Sequence, residues 1–306
     1  MGTRGKSTIL AFLQAILDRA HRRVRCAEVR PGRTAELGFK DVLVVADTLP
    51  GETAFDATMA AAHRAGHLVL NAECPVWVRA AREFSGTVHW ISADERQPAL
   101  REHLGRGGDA CFARASSLEV ASGACSEPLL SLLEVPALLG GAAQYQVRNA
   151  AAAASAGLVL DVTLEQVANG IESLSEACPQ RLGRGSSRMD RGARVLLDRV
   201  PDVVALSALI HTACGLPSER VQLLLGTESE LDAAAWAMEF ERVPLGGAHL
   251  GPGAGRAGLA QFFAARGIPA RLYPLESEAR AAALNSRRPG DLLLALRCAD
   301  ENVFFH

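Results

Sequence analysis

The chain has 306 residues, 32 Lys and Arg against 34 Asp and Glu, a formal net charge of −2, and 49% apolar residues. These are globular values, so wholesale disorder is excluded, and the balanced charge argues against a nucleic-acid partner. The length suits about two domains at roughly 150 residues each, no apolar run reaches the roughly 18 residues of a membrane span, and no signal-peptide pattern opens the chain.

In chain order, residues 9–21 place Ile9, Phe12, Leu13, Ile16, Leu17 and Ala20 on one helical face. Residues 42–46 form a short apolar run read as a buried parallel strand ending at Asp47. A helix over 53–65, strands over 67–70 and 88–91, and a helix over 75–84 follow. The Gly-rich stretch 105–145 reads as hairpins or irregular structure. An Ala-rich helix over 145–157 is expected to close at Gly157, and one over 163–174 to be capped by Thr163.

Residues 178–194 are polar, Arg-rich and Gly-rich, and mark a boundary. Beyond them come strands over 194–198, 220–225, 269–273 and 291–296, with helices over 203–214, 229–240, 256–266 and 276–285. This alternation predicts an α/β fold. Its parts are a P-loop central domain with a mostly parallel sheet (1–178) and a smaller Rossmann-like α/β C-terminal domain (179–306).

The seven cysteines (Cys26, Cys74, Cys111, Cys125, Cys178, Cys214 and Cys298) are odd in number and never spaced C-x-x-C. That excludes a disulfide framework and a zinc ribbon, and fits a reducing cytoplasm. Only Lys6 and Lys40 are lysines; every other basic residue is Arg. One of the two lysines falls in Gly2-Thr3-Arg4-Gly5-Lys6-Ser7-Thr8, which runs straight into the first helix. Glycines let the backbone curl so that N–H groups face phosphate oxygens, and the helix start adds partial positive charge. Lys6 would reach the β- and γ-phosphates and Ser7 would ligate Mg²⁺.

The spelling of that loop resembles the Mur ligase family. Three further stretches sharpen the resemblance: Val69-Leu70-Asn71-Ala72-Glu73-Cys74-Pro75, then Leu138-Leu139-Gly140-Gly141-Ala142 with Tyr145-Gln146-Val147-Arg148-Asn149-Ala150, then Arg288-Pro289-Gly290-Asp291-Leu292-Leu293. Within the family the order of motifs is most similar to the C-terminal Mur-ligase-like half of cyanophycin synthetases, in a divergent and N-terminally shortened form. The resemblance implies an ATP-dependent amide ligase, with ATP and Mg²⁺, that activates a carboxylate as an acyl phosphate for attack by an amine.

It also implies roles for particular residues. Gly2, Thr3, Gly5, Lys6, Ser7 and Thr8 would bind phosphates. Glu28 would join Ser7 on the metal, and Asn149 would contact adenine. Arg184 would hold the γ-phosphate, and Asp198 would close in from the second domain. Lys6, Glu28 and Arg184 would be the catalytic set. Partners would be a nucleotide and an amino-acid or short-peptide substrate, with an acidic polymer, a separate ATP-grasp protein and self-association as further options.

The sequence departs from the family in several places. Gln146 replaces the first Asn of the adenine-contacting pair. Leu49 and Pro50 follow Asp47-Thr48 where the family has Asp-His, and Arg199 and Val200 follow Asp198 where it has His-Asn. Lys40 is misplaced for the carbamylated lysine of the family. Met1 stands where a buried strand would precede the loop, so the sheet is expected to lack that member. These departures favour an alternative: a degenerate, non-catalytic homologue serving as a binding or scaffold partner. A weaker rival is dinucleotide binding through Gly253-Ala254-Gly255-Arg256-Ala257-Gly258, with Glu276 some twenty residues on. The arginines of 19–33 read as a solvated face, and His211 with Cys214 as an ordinary helical pair.

Overall fold

The computed structural model describes residues 5–26, 41–45, 52–177, 186–198, 200, 202–227 and 232–296. The chain divides into two compact units, Met1–Arg181 and Leu182–His306.

In the first unit, helix α1 (Lys6–Arg19) is followed by strand β1 (Val42–Val44), helix α2 (Glu52–Ala62), β2 (His67–Asn71), α3 (Pro75–Ala80), β3 (Thr87–Ser92) and α4 (Pro98–Gly105). Strands β4 (Asp109–Arg114), β5 (Ser117–Ser122) and β6 (Cys125–Ser131) come next, then α5 (Gln144–Val159) and α6 (Leu164–Ala177). The sheet order is β1-β2-β3-β4-β5-β6, parallel through β4 and antiparallel beyond it. The hairpins expected over 105–145 are therefore β4 to β6. The helix α4 was not expected, because its Pro-Ala-Leu-Arg-Glu-His-Leu-Gly sequence is short and mostly polar.

One face of this sheet packs Leu68, Leu70, Trp90 and Phe112 against Ala61, Trp77 and Leu100 of the helices. The other face carries α5, whose Ala150 to Ala154 are fully buried. Small side chains let that helix lie close to its neighbours, and α1 and α6 pack beside it. The α1–α6 crossing is closer still. A Cβ on Gly170 would stand 2.5 Å from Ile16 Cα, and one on Gly157 would stand 3.1 Å from Ile16 Cγ2. Gly157 thus serves packing rather than termination, and α5 runs on to Val159. Thr163 caps α6 as expected: its hydroxyl accepts the Gln166 N–H at 3.3 Å, and Gln166 Oε1 accepts the Thr163 N–H at 3.2 Å.

The second unit contains β7 (Ser186–Asp190), β8 (Ala193–Asp198), α7 (Val203–Gly215), β9 (Arg220–Leu225), α8 (Ala233–Phe240) and β10 (Leu245–Leu250). It ends with α9 (Arg256–Ala265), β11 (Ala270–Leu272), α10 (Glu276–Ser286) and β12 (Asp291–Leu296). Its sheet order is β11-β10-β9-β12-β8-β7, with only β7 antiparallel. The central strand β12 is buried along its whole length, which is why it reads as an unbroken apolar run. Strand β10 reads poorly because it holds Gly246 and Gly247. Both are needed, since a Cβ at either would fall 2.3 Å from Arg220 Cγ or 2.8 Å from Gln222 Oε1.

Candidate functional site

In a parallel α/β sheet, ligands bind beyond the carboxyl ends of the strands. In the first unit those ends include Asn71 of β2 and Ser92 of β3. Asn71 Oδ1 accepts the Glu73 N–H at 2.9 Å and so turns the chain. The Glu73 carboxylate then spans three elements. Its Oε1 accepts the Ala93 N–H at 2.7 Å and lies 3.0 Å from the Ser92 hydroxyl, while Oε2 accepts from Arg148 Nη1 at 2.8 Å. Ser92, fully buried, also accepts the Asp94 N–H at 2.9 Å. One carboxylate therefore ties β2, β3 and α5 together at the ligand end of the sheet.

Helix α5 brings in the next groups. Gln146 and Asn149 are both buried, and Asn149 Nδ2 donates to Gln146 Oε1 at 3.1 Å. The longer Gln thus reaches its amide partner three residues on. The approach to α5 is unusual: Leu139, Gly140 and Gly141 have φ of 51°, 66° and 93°. A leucine in the left-handed region costs about 1–2 kcal/mol, strain of the kind that gathers near functional sites.

The phosphate loop is described from Gly5 onward. Gly5 has φ 76° and stands at the N-cap of α1, a conformation open to glycine at no steric cost. No side chain caps this helix start, and Ser7 is exposed on its first turn while Thr8 is buried. Backbone N–H groups of a first helical turn need outside acceptors, and phosphate oxygens are suitable ones. The position of Lys6, the glycine conformation and the exposed hydroxyl fit a nucleotide phosphate with Mg²⁺. Among the described residues, no three His, Cys, Asp or Glu side chains form a metal cluster.

Gly2, Thr3, Glu28, Lys40, Asp47, Thr48 and Arg184 lie outside the described residues. Asp198 is described: it ends β8 in the second unit and is 9% exposed. The structure therefore joins Gln146 to Asn149, and places Gly5 to Thr8 on a helix packed along α5. Glu73, Ser92 and Arg148 received no role from the sequence. The available signal was an acidic residue two places after a strand-ending Asn, with an Arg directly before Asn149.

The dinucleotide reading loses its support. Glu276 accepts the Thr227 N–H at 2.9 Å and the Thr227 hydroxyl, so it fastens the end of β9 instead of standing ready for a ribose. Arg256, 2% exposed, donates to the Gly226 carbonyl at 2.6 Å beneath the glycine loop. Cys214 Sγ donates to the Arg242 carbonyl at 3.3 Å, as an ordinary helical cysteine does.

The fold is that of the Mur ligases and folylpolyglutamate synthases. UDP-N-acetylmuramate-alanine ligase from Thermotoga maritima matches with a TM-score of 0.62 at 12% identity, over 99% of this chain and 72% of that one. A bifunctional folylpolyglutamate synthase/dihydrofolate synthase, solved with Mn, AMPPNP and L-glutamate bound, matches with a TM-score of 0.61 at 14% identity, over 97% of this chain and 85% of that one. No protein-family model matches the chain.

Sequence similarity points more narrowly, to cyanophycin synthetases. That of Crocosphaera subtropica is 26% identical over 122 residues, 40% of this chain and 14% of the relative. That of Geminocystis herdmanii is 26% identical over 133 residues, 44% of this chain and 15% of the relative. The matched stretch thus spans about one-seventh of these relatives. The chain thus has the Mur-ligase fold and, over part of its length, is similar in sequence to cyanophycin synthetases.

Proposed function

We propose that the chain binds ATP with Mg²⁺ at the carboxyl end of the first unit's sheet and joins a carboxylate to the amine of an amino acid or short peptide. The observation that carries this reading is the uncapped start of α1, with Gly5 left-handed and Lys6 and Ser7 on its first turn, in a unit with the Mur-ligase fold. The solved neighbours include one with ADP and one with AMPPNP, Mn and L-glutamate.

In this reading Gly2, Thr3, Gly5 and Thr8 wrap the phosphates, and the Lys6 ammonium neutralises the β- and γ-oxygens. Ser7 and Glu28 hold Mg²⁺, which supplies charge neutralisation on the phosphates. Asn149, oriented by Gln146, meets the adenine edge. By the family resemblance, Arg184 and Asp198 would serve the γ-phosphoryl group. The γ-phosphoryl group passes to the substrate carboxylate, the amine attacks the acyl carbon, and phosphate leaves with an amide formed. The chain's part is positioning and electrostatic stabilisation. A reducing compartment, the cytoplasm, suits the free thiols of Cys26, Cys74, Cys111, Cys125 and Cys214. Among the described residues no helix is long and apolar enough to cross a membrane.

A second reading is a nucleotide-binding homologue without turnover. Arg199 and Val200 favour it, since they stand where the family has its His-Asn pair after Asp198. One experiment separates the two. Calorimetry with ATP and Mg²⁺ is followed by an assay of ADP and phosphate release against amino acids and short acidic peptides. The ligase reading expects binding and amine-dependent release, both lost in Lys6→Ala. Binding without release supports the second reading, and no binding at all overturns both.

A further inference from the structure

The opposite end of the same sheet carries groups that the nucleotide reading does not use. His67 opens β2, His89 lies in β3 and Asp109 opens β4. Val69 pairs with His89, and His89 with Asp109, so their side chains share the face that α5 covers. Helix α5 ends at Val159, and beneath its last turn lies a cavity of about 660 Å³ lined by His67, His89, Asp109, Glu127, Leu158 and Asp161 among others. That is the size of a small-molecule site.

The chemistry of the lining is one-sided. Its carboxylates are Asp109, Glu127 and Asp161, and among the described residues that line it none is Lys or Arg. Leu158 and Val159 also bring the carboxyl end of α5 to the wall, where the helix dipole is negative. Arg22 donates to the Asp161 backbone carbonyl at 3.2 Å and leaves that side chain's charge in place. His67 Nδ1 lies 3.2 Å from His89 Nε2, a contact that needs one of the two nitrogens unprotonated. His89 is 9% exposed, and burial pushes its pKa down. Asp109, 3.9 Å away, opposes that shift, while His67 and His103 reinforce it. Val120, Leu158 and Val159 add apolar wall.

We propose that this cavity, at the amino ends of β2 to β4, is a second ligand site that takes a small aliphatic amine. The ammonium hydrogens meet the carboxylates, and the methylene stem lies along Val120 and Leu158. The site lies across the sheet from Asn71 and Glu73, so it stands independently of the nucleotide reading.

The test is titration of the full chain with 1,4-diaminobutane, with 1,4-butanediol as the uncharged isostere, at pH 7.5. The diamine is expected to saturate and to bind at least about tenfold more tightly than the diol. Asp109→Asn and Glu127→Gln should each weaken the diamine several-fold, while Lys6→Ala leaves it unchanged. Taking the pH well below the ordinary histidine range should weaken it further as His89, whose pKa burial holds down, gains its proton. Glu127 is exposed on β6, so its variant serves if Asp109→Asn melts early. Equal binding of diol and diamine, no saturation, or a loss that follows Lys6→Ala would overturn the proposal. So would uptake of zinc(II) by the two imidazoles with no uptake of the diamine.

Discussion

Each unit has an ion pair at one end of its sheet, and the two ends are opposite. In the first unit Glu73 and Arg148 pair at the carboxyl ends of the strands, about a quarter exposed, at 2.8 Å. In the second, Arg220 and Asp291 pair at the amino ends of β9 and β12, at 2.5 Å, with the carboxylate 3% exposed. Asp291 also accepts the Arg288 N–H at 2.7 Å, and its partner Arg220 donates to the Ser286 carbonyl at 3.0 Å. The buried pair sits at the amino ends and fastens strands. The half-buried pair sits at the carboxyl ends, where the proposed function places the nucleotide, and ties down the helix that carries Asn149. Position along the strand therefore separates a group that holds the fold from one that shapes a site.

The largest effect should come from the buried pair. Asp291→Asn is expected to destabilise the second unit by about 3 kcal/mol, because it leaves a guanidinium without its counter-charge. Burial alone would raise the Asp291 pKa, but the Arg220 and Arg288 hydrogen bonds and charges outweigh it and hold the carboxyl below its usual range. The sign follows. This stability is present above about pH 4, the ordinary aspartate pKa, and is lost as the pH falls through the lower folded value. Urea unfolding at pH 7 and at pH 3 measures both; equal stabilities would break the comparison.

Gly170→Ala should cost about 2–3 kcal/mol, since the new methyl meets the Ile16 backbone instead of a movable side-chain tip. Thermal unfolding reads this loss, and it should fall in the first unit. Glu73→Gln should change stability by no more than about 1 kcal/mol, as expected for a partly exposed pair. It should nevertheless weaken ATP by several-fold, because Arg148 and the start of α5 lose their anchor. A stability loss as large as that of Asp291→Asn, with ATP affinity intact, would reverse the roles assigned to the two pairs. The smallest effect belongs to Thr163→Ala, which removes a cap worth about 1 kcal/mol and should leave every ligand affinity unchanged.

Much of the fold was legible because burial writes itself as apolar runs. Val42–Val44, His67–Asn71, Arg220–Leu225 and Asp291–Leu296 are strands where the sequence predicts them. Strands β7 and β10 were not readable for two different reasons. Ser186–Asp190 is an antiparallel edge with an exposed Met189, so burial imposes little pattern on it. Leu245–Leu250 needs two glycines to clear Arg220 and Gln222, a demand that only the neighbouring strand reveals. The candidate site divides in the same way. The phosphate loop is contiguous and could be read directly. Glu73, Ser92 and Arg148 are far apart in sequence and meet only once the sheet has formed.

The central claim is that the carboxyl end of the first sheet holds the nucleotide, and hydrogen–deuterium exchange of the full chain with and without ATP and Mg²⁺ tests it most directly. The account predicts slower exchange in peptides covering residues 5–9, 71–74 and 144–150, with no change over 109–127. Protection confined to 109–127, or no protection anywhere in the first unit, would contradict it.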